Sequence, residues 1–257
     1  MQNKHVPSSG PRYWIALSVA SVFGANMGDF FARDLGLGHV KGLPILALIL
    51  AVIFLVEHRD RFTHQAYYWL VIIVVRTAAT NLADFAAGDM RLDKASLLAV
   101  LTVLLALIVF LGRFFAPAGL QSKPGNGLPV TDAYYWMAML AAGTLGTVLG
   151  DISSFGSGLG TGRASIGLCA LLGTWFYFGR GWLGALPCYW LTIVLVRTAG
   201  TAVGDYLAGR SLGLGLPLST ACTGLLFVAI LMLWKEARGL PPGADRPVVP
   251  SGANRAS

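Results

Sequence analysis

The sequence predicts an all-α integral membrane protein with eight transmembrane helices, built as four tandem two-helix repeats in a pseudo-fourfold bundle with two related halves. Three observations predict it. The chain of 257 residues is 55% hydrophobic and only 12% charged, with a mean hydropathy of +0.66, whereas an average soluble domain is about 25% charged. Apolar runs that approach the roughly 20 residues needed to cross a bilayer occur eight times. A stretch running from a tryptophan to an aspartate recurs four times, as Trp14 to Asp29, Trp69 to Asp84, Trp136 to Asp151 and Trp190 to Asp205, always 15 residues apart.

In chain order the predicted spans are 13–34, 42–57, 66–87, 95–115, 133–154, 164–180, 184–208 and 217–235. Polar, glycine-containing or charged breaks separate them, such as Glu57 to Arg61 and Gly88 to Lys94. The polar start, 1–12, is too short for a signal peptide and no Ala-x-Ala-like site follows the first apolar run, so the first helix is expected to be retained. The longest break, 116–132, carries Pro117, Gly119, Pro124, Gly125, Gly127 and Pro129 and reads as a flexible linker between halves 13–115 and 133–236. The Pro- and Gly-rich tail, 237–257, is expected to be disordered.

Each repeat supplies a motif helix and a plainer second helix. Two spans return the chain to its starting side, so all four repeats share one orientation. Copies two and four also share Val-Arg-Thr-Ala at Val75 and Val196, which points to a duplicated half. Outside the spans, the side holding the termini carries nine Lys and Arg before the distal tail and the opposite side six. That bias predicts both termini in the cytoplasm, and hence the aspartates in the outer half of the membrane.

Along a helix, positions four and seven before the Asp lie on its own face. In three repeats both are threonine: Thr77 and Thr80, Thr144 and Thr147, Thr198 and Thr201. The first repeat has Val22 and Ala25 there, with Asn26 one residue along, where Asn81 is its counterpart in the second repeat. A second stripe, one and five residues before the Asp, is small in every copy: Gly24 and Gly28, Ala79 and Ala83, Gly146 and Gly150, Gly200 and Gly204. Small residues one turn apart let helices approach closely in lipid. The motif helices should therefore pack together with polar faces inward, ringed by the second helices.

With Trp14, Trp69, Trp136 and Trp190 as interfacial anchors, each Asp falls about 22 Å along a hydrocarbon core of about 30 Å. A carboxylate at that depth faces a partner or a water-filled cavity. Arg76 and Arg197 lie about 12 Å from the Asp of their own helix and are expected to bridge to a neighbouring repeat or to bind an anionic group. Two arginines against four aspartates leave room for shared protons or for a cation. The second helices of repeats one and three are short or glycine-interrupted, Leu43 to Val56 and Ala164 to Phe178, as in transporter binding regions.

Cys169, Cys188 and Cys222 show no metal or redox spacing, and His5, His39, His58 and His64 no ligand pairing. No cofactor is expected, and any metal is undefined. The net charge of +7 reads as membrane-flanking Lys and Arg; nucleic acid is not an expected partner. No nucleophile-base pair or phosphate loop recommends an enzyme.

The four Trp-to-Asp copies, two spans each, resemble a family of bacterial membrane proteins made of four tandem two-helix repeats, each with a characteristic tryptophan and of unassigned function. The resemblance covers about residues 12 to 236 and implies a bacterial inner membrane, with no substrate carried over. The leading expectation is a transporter or channel-like protein that passes a small solute or cation between the motif helices. Asp29, Asp84, Asp151 and Asp205 would bind the cation or relay protons, with the threonines as neutral oxygens. The alternative is a membrane scaffold whose polar core only fixes helix packing.

Overall fold

A computed structural model of the chain describes residues 7–60, 65–115, 128–179, 185–209 and 212–233. The predicted linker, apart from its last residues, and the predicted disordered tail lie outside the described residues. Among the described residues eight α-helices follow one another: α1 Pro11–Asp29, α2 Gly38–Arg59, α3 Ala66–Asp84, α4 Lys94–Phe115, α5 Ala133–Asp151, α6 Gly160–Phe178, α7 Leu186–Ala208 and α8 Gly215–Leu233. In the first three motif helices the Asp is followed at once by a wider π-helical turn, Phe30–Asp34, Phe85–Asp89 and Ile152–Gly156. Such turns often mark functional positions in helices.

Among the described residues, seven helices are long and apolar enough to cross a membrane. The exception is α6, which has 19 residues. Arg163 sits in its first turn, and Gly160, Gly162, Gly167 and Gly173 dilute its apolar run. All eight predicted spans are helices, and α6, whose glycine interruptions the sequence shows, packs on α7 as its counterparts pack on theirs.

The four motif helices form a closed ring in which α1 meets α3, α3 meets α5, α5 meets α7 and α7 meets α1. Each second helix packs outside the motif helix of the following repeat: α2 on α3, α4 on α5, α6 on α7, and α8 back on α1. The last pairing joins the end of the chain to its beginning, so the bundle is cyclic. Burial follows this plan. Most of the inward face of α5 and α7 is buried, whereas α2 buries only Gly42 and Leu46 and α4 only Leu97, Leu101 and Leu105. The exposed Leu, Val, Ile and Phe of the outer helices suit a lipid-facing surface.

Small residues set the ring contacts. A Cβ added to Gly24 would come within 2.5 Å of Cγ of Arg76, and one on Gly28 within 2.7 Å of Cβ of Thr80. One added to Gly146 would strike Cβ of Arg197, and one on Gly200 would strike Oγ of Ser21. The residue five before the Asp thus faces the residue eight before the Asp in the next repeat. Where that small residue is Ala79 instead of glycine, its partner becomes Gly143, 2.7 Å from an added Cβ. Side-chain volume is exchanged across the contact, which preserves close packing. Gly167 and Gly173 on α6 meet nothing within 4 Å, so the interruptions read as a binding-region signal do not line one.

A positive φ at Gly36 (65°), Gly158 (71°) and Gly213 (68°) turns the chain after three of the motif helices. In the second repeat Arg91 makes the left-handed turn, at φ 52°. Two residues on, Asp93 accepts hydrogen bonds from the backbone N–H (2.9 Å) and hydroxyl (3.0 Å) of Ser96 at the start of α4. These donors, the backbone one foremost, hold the Asp93 carboxyl below the usual carboxylate range.

Candidate functional site

The aspartates close the same face of their helices, and the ring brings all four together. Asp29, Asp84, Asp151 and Asp205 line one cavity of about 470 Å³ at the C-terminal ends of the motif helices. The residues four before them, Ala25, Thr80, Thr147 and Thr201, line it as well. Among the described residues no three acidic, His or Cys side chains are close enough to hold a metal ion directly. The four carboxylates surround a space large enough for water.

Arg33 and Lys94 join the lining, and Arg33 forms an ion pair of 3.3 Å with Asp29. His39 of α2 places Nδ1 at 3.0 Å from Asp89 and Nε2 at 3.9 Å from Asp84. Oδ2 of Asp205 is buried without a hydrogen-bond partner. Arg33 sits in the π-helical turn that follows Asp29. Its side chain is well exposed, but it also belongs to the cavity through its pair one turn from Asp29.

Arg76 lies beneath the cavity and bridges repeats, as expected. Its Nη1 donates to Oγ1 of Thr147 at 2.7 Å and its Nη2 to Oγ1 of Thr201 at 2.6 Å. Nε donates to the Ser21 carbonyl at 3.2 Å. The two threonine hydroxyls in turn donate to the carbonyls one turn earlier, Gly143 (3.2 Å) and Arg197 (3.1 Å). Two of the cavity threonines are thus oriented by backbone on one side and by a guanidinium on the other, the local bonding that threonine favours in helices. Arg76 itself is completely buried.

The other threonines, seven before each Asp, do not line the cavity. Thr144 and Thr198 bond back to Leu140 and Val194, at 3.0 and 2.8 Å, and Thr77 Oγ1 is buried without a partner. Asn26 and Asn81 are also outside it. Asn26 donates to Ser219 of α8 at 3.3 Å, and Asn81 faces Gly42 of α2, whose added Cβ would stand 3.1 Å from its Nδ2. Both face an outer helix. A residue three before the Asp sits about 60° off its direction, enough to leave the axis.

Arg197 is the counterpart of Arg76 but behaves differently. It is completely buried, and its Nε, Nη1 and Nη2 have no hydrogen-bond partner. It lies near Tyr13, Tyr68, Tyr135 and Tyr189, whereas Arg76 lies near Arg197 and within reach of Asp151, Asp205 and Asp84. The two arginines face opposite ends of the ring.

The tyrosines form a closed quartet at the end remote from the aspartates. Hydroxyl to hydroxyl, Tyr13 meets Tyr68 at 3.0 Å, Tyr68 meets Tyr135 at 2.6 Å, Tyr135 meets Tyr189 at 2.9 Å and Tyr189 meets Tyr13 at 2.8 Å. Each tryptophan packs on the tyrosine of the preceding repeat: Trp14 on Tyr189, Trp69 on Tyr13, Trp136 on Tyr68 and Trp190 on Tyr135, with ring centroids 5.6–5.8 Å apart. The tryptophans are buried within the bundle. With the tyrosines they form an eight-ring aromatic layer packed inside the bundle. The signal for the quartet was available, since a tyrosine immediately precedes each of the four tryptophans.

Residues 12–63 and 188–239 match the family model described as a Repeat of Unknown Function (DUF347). These windows hold the motif helix and second helix of the first and last repeats, and the structure repeats the same helix pair twice between them. No curated protein and no solved structure matches the chain.

Proposed function

We propose that this membrane-spanning bundle of DUF347-type repeats is a transporter that takes a small cation, with protons as the simplest case, into the aspartate-lined cavity. The single observation that carries the reading is the convergence of four intramembrane carboxylates on one cavity, since ionisable groups at that depth are costly and serve ion pathways. Their oxygens, with the hydroxyls of Thr80, Thr147 and Thr201, form a hard-donor set suited to hard cations.

Below the cavity the axis is blocked, first by Arg76 and then by the tyrosine quartet. Closure at one end with an accessible site at the other favours a carrier over an open channel. The bias of Lys and Arg supports a cavity on the outer side of the membrane, with both termini in the cytoplasm. A purely architectural core, the competing reading, accounts for Arg76 and the quartet but gives the four carboxylates no work.

The test is ion movement in proteoliposomes, followed with pH- and alkali-cation-sensitive dyes. Wild type is expected to dissipate an imposed cation or proton gradient, and Asp84→Asn and Asp205→Asn to abolish the signal while remaining folded. Identical traces from wild type, both variants and empty vesicles would overturn the proposal.

A further inference from the structure

Two guanidinium groups are enclosed on the axis of the ring with no exposed surface. Neither forms an ion pair; Asp29 pairs with Arg33, and Asp84 and Asp89 with His39. All the hydrogen bonds of Arg76 go to neutral carbonyl and hydroxyl oxygens. Arg197 repels Arg76 and has no hydrogen-bond partner at all. Arg76 is held by Thr147 and Thr201, one turn below Asp151 and Asp205, and is within reach of those carboxylates, whereas Arg197 has the tyrosine hydroxyls around it.

An unpaired buried charge is among the least favourable arrangements in a folded protein, and two of like sign are worse. The five N–H donors of a guanidinium remain charged at any physiological pH, so Arg197 cannot escape by losing a proton. The Ser21 hydroxyl, at the same position in the first repeat, is also buried and unpartnered. Arg76 closes this level on one side, and the four tyrosine hydroxyls close it on the other.

We infer that this enclosed level between Arg76 and the tyrosine quartet is a binding site for a small monovalent anion of halide type, held by Arg197 with the Ser21 hydroxyl. A cation is excluded by the two guanidiniums. The packing at this level is tight, since a Cβ added to Gly146 would strike Arg197 and one added to Gly200 would strike Ser21, which favours a monatomic ion over a larger oxyanion or carboxylate. The anion neutralises one of the two buried charges, and it is separate from the cation proposed for the aspartate cavity. The inference therefore stands or falls independently of transport.

Bromide is the probe. In crystals of wild-type protein grown in sodium bromide, an anomalous peak is expected within hydrogen-bond distance of the Arg197 guanidinium. In solution, bromide or chloride in place of gluconate at equal ionic strength should raise Tm by about 5 °C or more at saturating concentration. The rise should disappear in Arg197→Gln and persist in Asp84→Asn. Absence of an anomalous peak at Arg197, or a halide-specific rise that survives in Arg197→Gln, overturns the inference. The crystallographic arm needs no variant, so a failure of Arg197→Gln to fold leaves the question decidable.

Discussion

The guanidinium of Arg76, on the second motif helix, donates a 2.6 Å hydrogen bond to the hydroxyl of Thr201 on the fourth, the helix diagonally opposite. The same group reaches Thr147 on the third at 2.7 Å. With its Nε bond to the Ser21 carbonyl on the first, one side chain ties all four motif helices together immediately under the cavity. It does so with bonds from a charged donor, which are stronger than neutral ones.

That geometry predicts strong coupling. Thr147→Val and Thr201→Val should each destabilise the protein by about 1–3 kcal/mol when Arg76 is present, because a charged donor then loses its acceptor. In an Arg76→Met background the same threonine changes should cost much less. Double-mutant cycles in reversible detergent denaturation measure this. Additive effects would show that the bridge contributes nothing.

The contact of Gly146 with Arg197 predicts a steep dependence on size. A Cβ at Gly146 would strike that of Arg197 and come within 3.0 Å of the Thr198 backbone nitrogen. Gly146→Ala is therefore expected to cost about 1–3 kcal/mol through overpacking. Gly173→Ala, a helix-interior glycine with nothing within 4 Å, should instead be neutral or stabilise by up to about 1 kcal/mol. Equal effects at the two sites in thermal unfolding would contradict the packing described.

Opening the tyrosine ring has a defined cost. Tyr68→Phe removes the hydrogen bonds to Tyr13 and Tyr135, leaving buried hydroxyls short of partners. Unfolding measurements should show a loss of about 1–3 kcal/mol. The same change at Tyr13, Tyr135 or Tyr189 should cost a similar amount, because each occupies an equivalent place in the ring. A variant that unfolds like wild type would mean that the ring does not persist in solution.

Arg91 does with a side chain what glycine does in the other three repeats, turning the chain at φ 52°. The left-handed region costs a non-glycine L-residue about 1–2 kcal/mol. Arg91→Gly should therefore raise stability by up to about 1 kcal/mol once the extra freedom of glycine in the unfolded chain is subtracted. A measured loss of stability would show that the arginine makes a compensating contact.

Much of this architecture was written in the spacing. Four Trp-to-Asp intervals specified four inward helices, and the small residues before each Asp specified how closely they pack. Thr80, Thr147 and Thr201 were found on the cavity because they share the Asp face. Other features depend on three-dimensional neighbours. His39 reaches Asp84 and Asp89 from a helix of the preceding repeat, a pairing that no interval along the chain encodes. Asn26 and Asn81 looked axial by polarity, but the helical rotation of three residues directs them at Ser219 and Gly42. The tryptophans looked interfacial because Trp favours that depth, yet each covers a neighbouring repeat's tyrosine. The relation between Arg76 and Arg197 was the least legible, since two residues at equivalent positions face opposite ends of one axis.

The central claim, that four carboxylates form one accessible, cation-attracting cavity, is tested most directly by thiol labelling. Thr161 and Ala208 both line the cavity. Cysteine placed at either, with Cys169, Cys188 and Cys222 replaced, is expected to react with a cationic methanethiosulfonate at least about tenfold faster than with an anionic one of similar size. Asp84→Asn together with Asp205→Asn should remove that preference. Equal rates for the two reagents, or a cationic preference that persists without these carboxylates, would contradict the account.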